Sequence, residues 1–181
     1  MAETNSKLMP KPNLAEIQIP LAACGQVDFV SALPDAGDGT NLGLVGSMTG
    51  VSLQGSDAGG ATVNEDVYLL LTCPSDYKAA GSFTLRIHAG ALTTRPDGDC
   101  DVDVVAKRSD DDGTVGADIC ATAAQDARSL TLANFDFTIT PATLSQGDIL
   151  IIEINMTVTD SGNLGVMKSI IGAMSLIYER E

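Results

Sequence analysis

Apolar and polar residues alternate along two neighbouring segments in the C-terminal third of the chain. The first segment runs from Phe135 to Ile139 and the second from Leu150 to Val158, and in both every other residue is apolar. A period of two is typical of a strand with one buried face. Pro141 and the pair Gly147-Asp148 lie between the segments and supply turn chemistry. The pattern predicts two antiparallel strands that pack on a common core.

Similar runs occur in the rest of the chain. Single alternating runs predict half-buried strands at Ala15 to Ile19, Phe83 to Ala89 and Val102 to Ala106. Two denser apolar runs predict strands buried on both faces, at Val67 to Cys73 and at Val166 to Tyr178. The segment from Ala123 to Ala127 is the only one that we predict to form a helical turn.

Many short strands with almost no helical periodicity predict an all-β fold, a two-sheet antiparallel sandwich of jelly-roll type. Pro10 and Pro12 fix φ and keep the residues before them out of the helical region. We therefore predict an extended N-terminal arm over residues 1–13 and a single β-sandwich domain over residues 14–181. Aliphatic side chains must build the core of that domain, because only 4% of residues are aromatic and Trp is absent.

The charge of the chain excludes several partners. Ten basic residues stand against 24 acidic ones, which gives a formal net charge of −14. Such a charge repels nucleic-acid backbones and anionic membrane surfaces. The longest apolar runs fall far short of the roughly 20 residues that a membrane-spanning helix needs, and residues 1–12 lack the apolar core of a secretory signal. We expect no nucleic-acid partner and no membrane association.

Four cysteines are too few for a disulfide scaffold in a chain of 181 residues, so buried free thiols are the preferred interpretation. Cys100 and Cys120 bracket a predicted hairpin with its turn at Ser109 to Gly113, which would place them nearly opposite one another. A disulfide between these two residues stays open as an alternative.

Aspartates recur at every second residue from Asp97 to Asp103. In an extended strand this spacing places all of the carboxylates on one face, where they could share a hard cation such as Ca²⁺. The segment does not match an EF-hand loop, because Val102 stands where that loop requires glycine. A solvated strand face is the preferred interpretation, and we predict no metal site.

Catalytic motifs are missing from the sequence. His88 is the only histidine, and its alternating neighbours Thr84 and Arg86 indicate an exposed strand face. The segment Gly46 to Gly50 places its serine second rather than third, which does not fit a nucleophile elbow. No glycine-rich segment contains the Gly-Lys-Ser/Thr of a phosphate-binding loop. We predict that the protein is not an enzyme and needs no cofactor.

Carbohydrate-binding β-sandwiches usually offer an aromatic platform on which a sugar stacks. This chain has no Trp and three tyrosines. Tyr68 and Tyr178 are predicted to be core or edge residues, which leaves Tyr77 as the only candidate for such a platform.

The segment from Phe137 to Ile154, together with a closing strand that ends at Tyr178, resembles the C-terminal strands of small jelly-roll virion proteins of tailed bacteriophages. These are the head decoration or cement proteins that bind assembled capsids, commonly as homotrimers. In this resemblance Leu144 fills the corner, Gly147-Asp148 makes the turn, and a long buried strand follows. The resemblance implies a homotrimer whose partner is the major capsid protein.

The sequence therefore predicts a non-enzymatic virion structural protein that bridges and stabilises major capsid subunits. It would be made in the host cytoplasm and located on the capsid surface of the virion. Residues of the arm are the predicted contacts with the capsid or with other subunits: Leu8, Met9, Pro10 and Pro12. Two alternatives remain open, a carbohydrate-binding β-sandwich module and a receptor-binding head or tail component.

Overall fold

A computed structural model of the chain describes residues 13–26, 33–34, 37–47, 50–92, 98–109, 115–140, 144–160 and 167–181. Within these ranges the chain forms eleven β-strands, one three-residue 3-10 turn at Leu21–Ala23 and no α-helix. No helix of this part of the chain is long and apolar enough to cross a membrane.

The strands form two antiparallel sheets. The first, which we call the β11 sheet, contains β1 (Leu14–Ile19), β2 (Gly43–Ser47), β3 (Gly50–Gln54), β5 (Phe83–Ala91), β9 (Ala133–Thr138) and β11 (Ser169–Glu179). The second, the β10 sheet, contains β4 (Thr62–Thr72), β6 (Gly98–Ser109), β7 (Val115–Asp118), β8 (Gln125–Asp126) and β10 (Ile149–Asp160).

The strand order confirms the predicted jelly roll. One sheet runs β3-β11-β5-β9 and the other β4-β10-β6-β7, so that among these eight strands every consecutive pair except β6 and β7 crosses between the two sheets. β2 extends the first sheet beyond β3, whereas β1 pairs with the C-terminal half of β11 and β8 pairs with β6. β1 and β3 therefore lie end to end along the same side of β11.

The core lies between the sheets and follows the alternation seen in the sequence. Every second residue of β10 is at most 2% exposed, from Leu150 to Val158. Ile154 stands at the centre, with Val67 of β4 on one side and Val104 of β6 on the other. β5 and β9 bury their predicted apolar faces in the same core. Burial of these aliphatic side chains is the main stabilising contribution in a fold of this type.

Two predictions about burial and local structure are wrong. The run from Val67 to Cys73 is not buried on both faces, because the outer face of the β10 sheet is open and leaves Leu70 52% exposed. The segment from Ala123 to Ala127 is extended and contains β8 instead of a helical turn. Its backbone pairs with β6 through Ala127 N–H, which donates to the Cys100 carbonyl over 2.7 Å. This pairing satisfies the backbone of the segment without a helix.

The corner before β10 has the predicted form. Leu144 is 4% exposed and packs in the core. Gly147 has φ of +85°, a left-handed conformation that favours glycine. Ser145 N–H donates to the Asp148 carboxylate over 2.9 Å, which fixes the turn. Pro141 and the turn at Ser109 to Gly113 lie largely or wholly outside the described residues.

All four cysteines are free thiols. Cys100 is buried on β6, whereas the backbone of Cys120 pairs with that of Ile139 in an isolated antiparallel β-bridge at the edge of the β11 sheet. The two residues are not cross-strand neighbours, because the chain crosses to the other sheet after β7. The crossing is at Ile119, whose N–H donates to the Ala106 carbonyl and whose carbonyl accepts the Thr140 N–H. The arrangement therefore supports the free thiols and not the alternative disulfide.

Candidate functional site

The outer face of the β11 sheet carries a shallow groove of about 160 Å³. Four strands build it, since β1, β11, β5 and β9 lie side by side in this part of the sheet. We call it the polar groove, and its lining residues are Glu16, Gln18, Arg86, His88, Asn134, Ala173, Met174 and Ser175. Most of these side chains point away from the core because strand alternation sends the intervening residues inward.

A bidentate ion pair forms one side of the polar groove. Arg86 Nε and Nη2 donate to Asp136 Oδ1 and Oδ2 over 2.6 and 2.7 Å. The two residues are direct cross-strand partners on β5 and β9. Hydrogen bonding to the guanidinium lowers the pKa of Asp136 below its ordinary value, and the same bond raises the pKa of Arg86. Fixed geometry of this kind holds both side chains in one orientation.

Two further hydrogen bonds order the remaining polar side chains. His88 Nδ1 lies 2.9 Å from Asn134 Oδ1, and with the amide oxygen as acceptor the ring Nδ1–H donates this hydrogen bond. Ser175 Oγ donates to Glu16 Oε1 over 2.7 Å, and Gln18 Nε2 lies 3.3 Å from the same oxygen. The groove is thus a row of positioned donors and acceptors with no Phe, Tyr or Trp in its lining.

A second depression of about 340 Å³ lies on the same outer face, nearer to β2 and β3. We call it the apolar depression, although two polar residues contribute to it; it is lined by Val45, Gly46, Gly50, Val51, Ser52, Gln54, Leu132, Ile170 and Gly172. Leu132 lies flat across the sheet because β5 and β11 have glycine beneath it. A Cβ at Gly90 or at Gly172 would come within 2.8 Å of the Leu132 side chain.

A cluster of carboxylates lies on the opposite outer face, that of the β10 sheet. Oxygen atoms of Asp99, Asp101 and Asp126 all lie within 4.8 Å of one another, and we call these residues the acidic cluster. Desolvation, followed by the neighbouring carboxylates, raises the pKa of Asp101. Two of the three already accept backbone N–H groups, from Cys100 and Arg128. Asp97, the first aspartate of the predicted series, lies outside the described residues.

The residues predicted from sequence divide into three groups. The predicted interface residues of the arm, Leu8, Met9, Pro10 and Pro12, lie outside the described residues. Tyr77, the predicted sugar platform, is fully buried, packs edge to face on Phe83 and donates its hydroxyl to Gly81. His88 does lie on an outer strand face, as predicted, but within the polar groove.

Sequence reasoning missed the polar groove as a unit. Its strands are separated by up to about 160 positions, as the bond between Glu16 and Ser175 shows. The alternation placed each polar residue on an outer face, but only the strand order shows that the outward residues of β1, β5, β9 and β11 share one surface.

Comparison with known proteins found no matching family model and no matching curated protein. Several solved structures are similar in fold. The xylan-binding module CBM15 has a TM-score of 0.50 at 11% identity, covering 92% of this chain and 98% of that one. The CBM22-1 xylan-binding domain from Paenibacillus barcinonensis Xyn10C has a TM-score of 0.47 at 12% identity, covering 78% and 82%. The structure of the infectious bursal disease virus Gx strain has a TM-score of 0.37 at 14% identity, covering 93% and 32%. At 11% identity the likeness to CBM15 shows a shared β-sandwich fold.

Proposed function

We propose that the protein is a non-enzymatic binding module whose polar groove takes a carbohydrate. The observation that carries this proposal is the row of ordered polar side chains on the outer face of the β11 sheet. Sugar hydroxyls both donate and accept hydrogen bonds. Positioned donors and acceptors both lie in the groove, among them the side chains of Glu16, Ser175, His88 and Asn134. The fold that it shares with the xylan-binding module CBM15 supports the same reading.

The order of the polar side chains favours binding over catalysis. Preorganised partners reduce the entropy lost when a ligand binds. Arg86 is held by Asp136 and His88 by Asn134, so these groups keep their positions before any ligand arrives. An acid and base pair for glycoside hydrolysis requires two carboxyl groups across the scissile bond. Among the described residues Glu16 is the only carboxylate in the groove lining, and Asp136, which borders the groove, has both carboxylate oxygens bound by Arg86.

Affinity electrophoresis in gels that contain soluble neutral polysaccharides tests the proposal. We expect the migration of the full chain to be retarded by at least one of them, for example xylan or glucomannan. His88→Ala and Asn134→Ala should each weaken the retardation several-fold, because each removes one hydrogen-bonding pair of the groove. Asn64→Ala, on the exposed outer face of the β10 sheet, is the matched control and should bind as the wild type does. Equal binding by all variants would refute the location of the site.

The second candidate function is the capsid decoration or cement protein of a tailed phage. It is favoured by the corner before β10, where Leu144 and Gly147 take the positions that the resemblance assigns to them. In this proposal the chain is a homotrimer on the virion surface, the major capsid protein is its partner, and the arm over residues 1–13 makes contact with the shell. A receptor-binding component of a head or tail would combine this location with the carbohydrate site.

Native mass spectrometry and capsid binding test the second candidate. We expect a trimer, because a closed ring presents identical arms to a symmetric lattice and gains avidity from three weak contacts. Deletion of residues 1–13 should leave the fold intact and reduce occupancy on capsids of the phage whose genome encodes the chain. A monomer at micromolar concentration, or unchanged occupancy after the deletion, would count against this candidate.

A further inference from the structure

The polar groove and the apolar depression are parts of one continuous surface. They meet on β11, where the pairing with β5 shifts register between Ile171 and Ala173. A Cβ on the intervening Gly172 would lie 3.8 Å from His88 Cδ2 in the groove and 2.8 Å from Leu132 Cδ1 in the depression. Glycine therefore makes room for the Leu132 side chain at the point where the polar and the apolar parts join.

The charges around this surface disfavour an anionic ligand. Arg86 is the only cation in the lining of the groove, and both carboxylate oxygens of Asp136 bind it. Glu16 adds a negative charge next to it, and the whole chain has a net charge of −14. A uronate, a sialic acid or a phosphorylated sugar would meet repulsion that the paired guanidinium does not offset.

The apolar part of the surface suits a small group instead of a flat ring face. Stacking of a pyranose needs an aromatic plane, and the lining of the apolar depression contains none; the imidazole of His88 lies in the polar groove. Leu132 and Ile170 instead line the depression beside Gly172 and offer an apolar surface on which a methyl group could pack. The nearest hydrogen-bonding side chains of the polar groove are His88, the cross-strand partner of Ala173, and Ser175, three residues beyond Gly172 on β11. Hydroxyls and a methyl of the same sugar could therefore be bound together.

We propose that the ligand is a neutral glycan whose bound sugar carries a methyl group, with its hydroxyls in the polar groove and the methyl against Leu132. The methyl is either C6 of a 6-deoxyhexose or the methyl of an acetyl substituent. This inference rests on the carbohydrate-binding function proposed above and specifies the class of its ligand.

Ligand-observed NMR titration of the full chain with matched free monosaccharides tests the inference. L-fucose is compared with L-galactose, which differs by one hydroxyl at C6, and L-rhamnose with L-mannose; N-acetylglucosamine is compared with glucose for the acetyl source. We expect one methyl-bearing member to bind about 4-fold to 10-fold more tightly than its partner, which is the effect of burying one methyl group. Its methyl protons should receive the strongest saturation transfer from the protein.

Two variants place the preference on the structure. Leu132→Ala should abolish the preference for the methyl-bearing sugar and leave the affinity for the matched sugar without the methyl unchanged. Val51→Ser, at a side chain that is 50% exposed, should reduce it without affecting the fold. Thr131→Ala, in the same loop as Leu132, is the matched control and should retain the full preference.

The outcomes separate the two proposals. Binding of neutral sugars with no methyl preference, or a preference that survives both Leu132→Ala and Val51→Ser, overturns the inference and leaves the carbohydrate-binding function standing. Tighter binding of glucuronate or sialic acid overturns it as well. If no neutral sugar or polysaccharide binds, both proposals are wrong.

Discussion

Glu65 offers the sharpest test of what holds the loops beside β3 in place. This residue of β4 is 1% exposed and points between the sheets. Its Oε1 accepts N–H groups from Gly39 and Ser56, each over 2.9 Å, and its Oε2 accepts Ser56 N–H over 2.8 Å. The chain packs closely around the carboxylate, because a Cβ at Gly55 would lie 2.3 Å from Oε2. One buried carboxylate thus joins two loops to the β10 sheet.

Replacement of Glu65 by alanine should cost roughly 3 to 6 kcal/mol of unfolding free energy. Two backbone N–H groups lose a charged acceptor, and hydrogen bonds to charged groups contribute about 1.5 to 3 kcal/mol each. Glu65→Gln keeps one acceptor oxygen at the same position, so we expect a smaller loss of about 1 to 3 kcal/mol. Ser169→Ala is the control, since the Ser169 hydroxyl has no hydrogen-bond partner among the described residues.

Urea denaturation followed by circular dichroism measures these differences, after reversibility has been checked by dilution. The expected order of stability is wild type and Ser169→Ala, then Glu65→Gln, then Glu65→Ala. A loss below about 1 kcal/mol for Glu65→Ala, within the range of ordinary surface substitutions, would refute the reasoning, because it would mean that the two N–H groups reach water or another acceptor when the carboxylate is removed.

Four further predictions follow from other parts of the molecule. Ile154→Ala, at the centre of the core, should lower the unfolding free energy by about 2 to 5 kcal/mol, as measured by the same denaturation, and a loss typical of surface sites would contradict the predicted register. In native protein at pH 8 a thiol reagent should label Cys120 first, as mass spectrometry of the adducts would show. The other three thiols are buried, and burial raises their pKa to about 12 for Cys24, about 11 for Cys73 and about 12 for Cys100. Millimolar Ca²⁺ should leave the melting temperature nearly unchanged, because the acidic cluster lies on an open strand face without enclosing carbonyl ligands; a rise with calcium and not with magnesium would overturn this. The Asp136 carboxylate has a lowered pKa, so its pairing with Arg86 should stabilise the fold at neutral pH and lose that effect as the pH falls through the lowered value. A comparison of the unfolding free energies of Asp136→Asn and wild type across the acid range would detect this loss.

The sequence predicted the sandwich because long strands such as β5, β6 and β10 show their buried faces through alternation. In β10 every second residue is apolar from Leu150 to Val158, and all of them are buried. The prediction failed where a dense apolar run was equated with burial on both faces, since Leu70 lies on an outer face that nothing described covers. Composition alone cannot distinguish an apolar residue in the core from one on an open sheet.

The candidate site was not predictable from local patterns. His88 and Arg86 were recognised as residues of an exposed face, but their partners Asn134 and Asp136 lie about 50 positions away on β9. The prediction for Tyr77 was wrong in the opposite direction, because a buried residue was predicted to be exposed. With Tyr68 and Tyr178 predicted as core or edge residues, Tyr77 was the remaining candidate for a sugar platform. The structure instead buries the ring against Phe83 and satisfies the hydroxyl with the Gly81 carbonyl.

The two proposed functions need not exclude each other, because they use different parts of the molecule. The carbohydrate site occupies the outer face of the β11 sheet, whereas capsid contact is assigned to the arm, which precedes β1 at the end of β11 where Arg180 N–H binds the Asn13 carbonyl. Glu16 and Gln18 of β1 line the groove only a few residues from the arm. If the arm binds a capsid, β1 is fixed at its N-terminal end, so capsid attachment should raise the affinity of the groove for the glycan. By linkage the glycan would then tighten capsid attachment by the same factor.

A shell that covered the groove would produce the reverse, because capsid and glycan would compete for the same face. Measurement of glycan affinity on free and on capsid-bound protein distinguishes the two arrangements.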